Sequence, residues 1–431
     1  MSPSPTPMEP ARIELALDGI THGGEAVGRM PNGKACFVPH AIPGERVLVE
    51  ITEERKRWAR GRLVEVLEAS PARIEAPCVY ARPGRCGGCQ LQHIEPTAQL
   101  ALKRRIVTEQ LERIGHLEDP PVNPTMPVAA FHYRNSARFA VDEQGRLGFR
   151  RAGSHEVQPI DECLLLDPAV QALRDEAGDG WQGAEEIVVR AGLSTGDRAL
   201  IVRPGAGGLP PMPDGSTPVA LEGSSGAVAL RGEPDLAEMV EGRTFRVSPT
   251  SFFQASTAGA ALLVRLVLAS TEIQPGDTAL DLYAGVGLFA AFLADAGAGV
   301  TAVEADPVAA ADARRNLAKD EVTVREQDAA AYVAALVADQ EQRDVVVLDP
   351  PRRGAGVNLC AGIAELDPRV VVYLSCDPAA LARDAAALAK AGYELTEATP
   401  VDQFAQTAQI ETVAVFRPAH RLARSAADDD G

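Results

Sequence analysis

The sequence predicts an α/β protein whose C-terminal part is an open, doubly wound sheet, and three observations carry that expectation. From about Thr244 onward, short β-rich apolar runs alternate with alanine-rich helical patterns. One such run, Thr278–Tyr283, passes through the glycine turn AGVG into a helix, LFAAFLADAG. Another, Val370–Leu374, passes through Ser-Cys-Asp-Pro into a helix with Asp377 as its N-cap and Pro378 in its first turn.

Composition bounds the rest. A chain of 431 residues, 46% hydrophobic, holds two or three domains and a sizeable core. It contains no apolar run long enough to span a bilayer, and MSPSPTPMEP lacks the basic-plus-apolar pattern of a secretory signal. A cytoplasmic protein with no membrane partner is therefore expected, and a monomer. Residues 1–10 and 419–431 read as disordered tails. The net charge of −18 argues against a nucleic-acid coat or a membrane-surface protein. It leaves room for a local basic groove. Arg55–Arg62 places five cations around Trp58, and Lys103, Arg104 and Arg105 form a second cluster. Each reads equally well as a solvated face.

Taken in order, residues 11–69 give five short strands separated by Gly/Pro turns: RIELAL, EAVGRM, KACFVP, RVLVEIT and RGRLVEVLEA. That density of strands predicts a small β-barrel of the OB type, a common platform for single-stranded nucleic acid. A central α+β unit is expected over 70–243. It opens with three of the seven cysteines, Cys78, Cys86 and Cys89, spaced C-x7-C-x2-C, and Cys163 is the natural fourth. Without a secretory signal, four thiols suit a [4Fe–4S] cluster or a structural zinc ion better than disulfides. Thr97–Leu117 then reads as one amphipathic helix able to pack on the last domain, and His132–Arg151 as arginine-bearing strands. Pro204–Gly242, rich in Gly, Pro and Ser, reads as loop or divergent hairpins. The last unit, 244–418, is Rossmann-like.

Its motifs carry the chemistry. Asp281 ends a strand, and Gly285 and Gly287 make the turn after it. Glu304 ends the next strand twenty-three residues after Asp281, where an acid can hold ribose hydroxyls. No lysine follows the glycines, so this is not a phosphate-gripping loop. Together with Asp328 after the third strand, the pattern fits an adenosine bound without pyrophosphate, as in S-adenosylmethionine. Asp349–Gly354, DPPRRG, lies at the carboxyl end of the fourth strand, its prolines stiffening a loop that aims Asp349 into the cleft. Cys376 stands at a helix N-terminus, where amide donors and the positive dipole end favour a thiolate. Its competing reading is a small buried hydrophobe.

DLYAG, DPPR, SCDPAALARD and the late IETVAVF, with SPTSFFQ at Ser248–Gln254, resemble the RNA uracil-5-methyltransferase family. The barrel resembles a TRAM domain, and the cysteines resemble that family's [4Fe–4S] site. The resemblance spans nearly the whole chain, weakest over 205–240. It implies a class I S-adenosylmethionine-dependent methyltransferase acting on C5 of a uridine in RNA, 23S rRNA before transfer RNA. It further implies Gln254, Tyr283, Glu304 and Asp349 as cofactor contacts, to which the strand-end pattern adds Gly285 and Asp328, with Cys376 as nucleophile and Glu411 as general base. The chain departs from the family's FPQTxHVE pattern at Ala405 and Gln409. Two readings from other classes compete. One is an enzyme methylating amino nitrogens, although Arg352 stands where such enzymes carry an aromatic. The other is a non-catalytic iron–sulfur RNA-binding protein.

Overall fold

The computed structural model describes residues 11–205, 208–212, 215–224 and 226–422. The expected tail at 1–10 and most of the one at 419–431 lie outside them, while residues 419–422 form one helical turn.

The alternating N-terminal pattern folds as a closed five-stranded barrel. Its strands are β1 (Arg12–Ile20), β2 (Ala26–Arg29), β3 (Ala35–Val38), β4 (Arg46–Glu54) and β5 (Trp58–Glu68), in the order β1-β2-β3-β5-β4. Alternate residues Leu15, Leu17, Val47 and Val49 point inward, as the two-residue period requires. Arg73, just after the barrel, pairs with the fully buried Glu45 at 2.5 Å and locks the barrel to the segment that leads into the central unit.

Helix α1 (Pro96–Arg113) is capped by Glu95, with Pro96 in its first turn, and strand β6 (Met126–Pro127) comes after it. The central sheet has seven strands: β7 (Ser136–Val141), β8 (Leu147–Arg150), β9 (Val157–Pro159), β10 (Ala184–Ala191), β11 (Arg198–Pro204), β12 (Val219–Gly223) and β13 (Gly226–Arg231). Helix α2 (Pro168–Ala177) covers one face of it around Phe139, Val170, Leu173 and Trp181. Of the two readings of Pro204–Gly242, loop or divergent hairpins, the second is seen: β12 and β13 form an antiparallel hairpin, and β12 joins β11 in parallel register.

Hairpin β14 (Leu236–Val240) and β15 (Arg243–Val247) lies across residue 243, where the sequence places the start of the last unit. It packs with α3 (Thr257–Thr271) through Val240, Phe245 and Leu263. From there the chain alternates β16 (Thr278–Leu282), α4 (Leu288–Asp295), β17 (Gly299–Glu304), α5 (Pro307–Asn316), β18 (Val322–Glu326), α6 (Ala329–Ala338), β19 (Val345–Leu348), α7 (Val357–Glu365), β20 (Val370–Ser375) and α8 (Pro378–Lys390). Strands β21 (Tyr393–Asp402) and β22 (Glu411–Pro418) close it.

The sheet order is β18-β17-β16-β19-β20-β22-β21-β6, with β22 antiparallel to both neighbours. Strands β19 and β20 are buried throughout, which is why they read as unbroken valine runs. Helices α3, α4 and α5 cover one face; α1, α6, α7 and α8 cover the other. Both α1 and β6 therefore reach back from the central segment onto this sheet. Among the described residues no helix is long and apolar enough to cross a membrane.

Candidate active site

Strand order reverses between β16 and β19, and a crevice at the carboxyl ends of such strands is the expected ligand site. A cleft of about 560 Å³ opens there. Gln254, Tyr283, Gly285, Glu304, Asp349, Cys376 and Glu411 all line it, from six separate stretches of chain. Asp328 does not. It is exposed at the N-cap of α6, accepting from Ala331 N at 3.0 Å, near enough to Tyr283 to influence its hydroxyl.

The glycine turn is shaped by backbone conformation. Tyr283 has φ 63°, unusual for a side chain of that size, and such strain concentrates at functional sites. Gly287 has φ 90°, and a Cβ there would lie 2.7 Å from Leu317. Glu304 accepts from Gly285 N at 2.8 Å and Asp306 N at 2.7 Å, so one carboxylate both holds the turn and faces the cleft. Asp281 lies beneath the turn, fully buried, accepting from Ala290 N at 2.8 Å. Burial pushes it up to about 8, and it buttresses the loop without lining the cleft.

The SPTSFFQ loop is held from both sides. Asp312 of α5 accepts from Ser248 N, Ser248 Oγ and Ser251 Oγ at 2.7–2.8 Å. Arg190 of the central sheet donates to Ser251 O at 3.0 Å, and Asn135 Nδ2 to Gln254 O at 3.0 Å. This fixes Gln254, whose Nε2 donates to Asp349 Oδ2 at 3.3 Å while its Oε1 accepts from Gln403 Nε2 at 2.7 Å. The DPPRRG loop is anchored by the buried Asp384 of α8. That carboxylate accepts from Tyr373 Oη and Ala355 N, both at 2.7 Å, and from Gly356 N at 3.1 Å. At Gly354, with φ 85°, a Cβ would collide with the same carboxylate at 2.5 Å. Tyr373 is fully buried and takes no part in the cleft.

Cys376 sits between the end of β20 and Asp377, which caps α8 by accepting from Ala380 N at 2.7 Å. The placement is as read from the sequence, but its electrostatic consequence is reversed. Burial pushes the thiol up to about 11, the Glu411 and Asp349 carboxylates add to the rise, and Arg352 opposes them. Burial is the largest cause of that rise, and at the helix N-terminus Asp377 already occupies the Ala380 donor. Glu411 is raised well above the carboxylate range by burial and then by Asp349. Asp349 is lifted to about 7 by burial, against the Gln254 bond. These two buried acids share a negative charge reluctantly. Among the described residues Glu411 Oε1 has no hydrogen-bond partner, so this cleft-lining side chain keeps an unused acceptor.

Cys78, Cys86, Cys89 and Cys163 line a separate cavity of about 320 Å³. Burial pushes Cys86 up to about 11 and Cys89 up to about 12. Among the described residues, no group of three or more His, Cys, Asp or Glu side chains forms a set able to hold a metal ion as positioned. Thr407 and Gln409 belong to the wall of this cavity, and Gln409 also lines the cleft.

The basic clusters divide. Arg55, Arg60 and Arg62 pair with Glu53, Glu25 and Glu50, while Lys56 and Arg57 stand exposed at the β4–β5 tip without such a pair among the described residues. Trp58 is half-buried, edge-on to Phe37 at 6.1 Å. Lys103 is neither a solvated face nor a surface cation, being fully buried against Asp402. Sequence reasoning passed over Gln403, Arg190 and Asp312 altogether. Asp384 stood in view at the end of SCDPAALARD.

A doubly wound sheet with an antiparallel late strand, and a cleft of acids and one thiol at its switch point, define an enzyme of the methyltransferase class. Comparison with known proteins gives the family. Residues 9–64 match the TRAM domain, and residues 237–417 match the tRNA (Uracil-5-)-methyltransferase family. A Streptomyces avermitilis protein described as an uncharacterized RNA methyltransferase is 39% identical over 94% of this chain and 98% of its own length. The 23S rRNA (uracil(1939)-C(5))-methyltransferase of Chromohalobacter salexigens is 35% identical over 93% of this chain and 88% of its own. The crystal structure of Pyrococcus abyssi tRNA (uracil-54, C5)-methyltransferase, in complex with S-adenosyl-L-homocysteine, superposes with a TM-score of 0.72 at 25% identity, covering 94% of this chain and all of that one. The chain belongs to the RNA uracil-5-methyltransferase family, and it is an RNA methyltransferase.

Proposed function

We propose that this protein methylates C5 of one uridine in RNA through a covalent cysteine adduct, with 23S rRNA as the first candidate substrate. The observation that carries this reading is the convergence of Cys376, Glu411 and Asp349 on one cleft beside the glycine turn. S-adenosylmethionine, when bound, supplies a methyl group on an electron-poor sulfonium. Gln254, Tyr283, Gly285, Glu304 and Asp349, which line the cleft, are assigned to hold it.

C5 of uracil is a poor nucleophile until something adds at C6. Cys376 gives up its thiol proton to solvent and its Sγ bonds to C6, and the ring electrons shift to an enolate whose C5 takes the methyl group. Arg352, which lines the cleft and whose charge lowers both Cys376 and Glu411, is suited to favour the thiolate and the enolate oxygen. Glu411 then takes the C5 proton, the C5=C6 bond reforms, and the Cys376 thiolate leaves. A stacked base cannot reach this cleft, so the uridine is flipped out or unpaired.

The four cysteines are assigned a [4Fe–4S] cluster. What supports this is an all-thiol donor set around one cavity, soft ligands that suit a cluster or zinc. The deciding experiment for the activity uses labelled S-adenosylmethionine with unmodified 23S rRNA and unmodified tRNA transcripts. Label in 5-methyluridine from the ribosomal transcript is expected. Label on an amino nitrogen, or none, contradicts the reading, and label in tRNA alone moves the substrate.

A further inference from the structure

We propose that Lys103, on α1, is a positioning residue for the general base: its buried ammonium fixes the β21–β22 connection from which Glu411 projects. The inference rests on the reading of Glu411 as that base. An ammonium has three N–H donors, and all three of Lys103's are used. Nζ donates to Asp402 Oδ1 at 2.5 Å, Gln409 O at 2.9 Å and Phe404 O at 3.1 Å. Asp402 is the last residue of β21, and Gln409 stands two residues before Glu411. A single group therefore pins both ends of the connection, next to the Val401–Glu411 register pair.

Neutral contacts hold the middle. Gln99 exchanges two bonds with Gln406, at 2.9 and 3.2 Å. Gln90 Oε1 accepts from Ala408 N at 3.1 Å, and Tyr133 Oη donates to Ala405 O at 3.0 Å. Within the connection a turn is held by Thr407, which donates from N and Oγ1 to Phe404 O and accepts at Oγ1 from Gln409 N, while Ala405 lacks the fixed φ of a proline. The turn is tied to the rest of the fold by the Lys103, Gln99, Gln90 and Tyr133 contacts. Among the described residues Glu411 Oε1 has no hydrogen-bond partner, so the placement of this buried carboxylate depends on its packing and on the backbone that carries it. A buried ion pair is a weak source of net stability, so the value of this one lies in the geometry it imposes. Misplacing a catalytic group by an ångström can cost on the order of a hundredfold in rate.

The test compares anaerobically purified full-length Lys103→Met, Asp402→Asn and Glu411→Gln, each given S-adenosylmethionine and the unmodified 23S rRNA transcript. Adduct formation and release of methylated RNA are timed separately. Lys103→Met is expected to form the adduct within about threefold of the parent rate while releasing product about 10- to 100-fold more slowly. Adduct should then accumulate, as in Glu411→Gln. Asp402→Asn, which keeps an acceptor for Nζ, should show the same imbalance more weakly, and it decides the matter if Lys103→Met does not fold. If both variants keep the parent's ratio of formation to release while Glu411→Gln accumulates adduct, the inference is overturned alone. If Glu411→Gln turns over like the parent, the assignment of the base falls instead.

Discussion

Gln254 donates to Asp349 across the cleft at 3.3 Å, joining the SPTSFFQ loop to the DPPRRG loop. That bond is what restrains the rise of Asp349, which burial lifts to about 7, and Asp349 in turn helps raise Glu411.

A carboxyl with a raised pKa holds its proton until higher pH, so a base of this kind is lost as pH falls through that range. Activity is therefore expected to rise with pH on an acid limb well above the ordinary carboxylate region. Gln254→Glu replaces the donor by a third acid of nearly the same shape. It should move the acid limb to higher pH, seen as lower methylation at pH 6–7 that recovers on the alkaline side. An unmoved limb would show that the Asp349–Glu411 pair does not govern it.

The free thiol offers an independent check. With Cys376 pushed up to about 11, its alkylation by iodoacetamide at pH 7, without cofactor, should be slower than that of an ordinary cysteine. Peptide mapping against pH should show the rate climbing toward pH 11. Fast alkylation at pH 7 would mean that the helix N-terminus prevails over burial and the two facing carboxylates.

Only part of the barrel's basic run is free for phosphate. Lys56 and Arg57 lack carboxylate partners among the described residues, whereas Arg55, Arg60 and Arg62 each pair with a glutamate. Each lost phosphate contact on a single strand flattens the log–log salt slope by about 0.7. Replacing Lys56 and Arg57 by alanine should change the slope by up to twice that amount, and replacing Arg62 should change it less. Equal effects would show that the surface pairs dissolve on binding.

Iron analysis tests the cysteine cavity. Anaerobically purified protein should be brown, carry iron and sulfide, and lose both with Cys163→Ser. Stoichiometric zinc without iron would replace the cluster by a zinc site.

The strands that were legible are those whose burial is simple. DVVVL and RVVVYL lie between two helical layers, and the barrel strands alternate about one core. Strand β21, YELTEATPVD, went unread because its first half is polar and partly exposed, and its buried second half is covered by α1, nearly three hundred residues earlier. Helix α3 is apolar on nearly every side, which removes the periodicity that marks a helix. Site residues at strand ends could be read from motifs. The groups that hold them, Lys103, Arg190 and Gln403, depend on contacts between distant segments and leave no local pattern.

The central claim is the order of events at Cys376 and Glu411, and trapping the protein–RNA adduct tests it most directly. Glu411→Gln keeps the shape and removes the base, so addition and methyl transfer proceed while elimination stalls. A slower band requiring S-adenosylmethionine should survive denaturing electrophoresis, and Cys376→Ala should give none. A Glu411→Gln enzyme that turns over like its parent, or an adduct that persists in Cys376→Ala, would contradict the account.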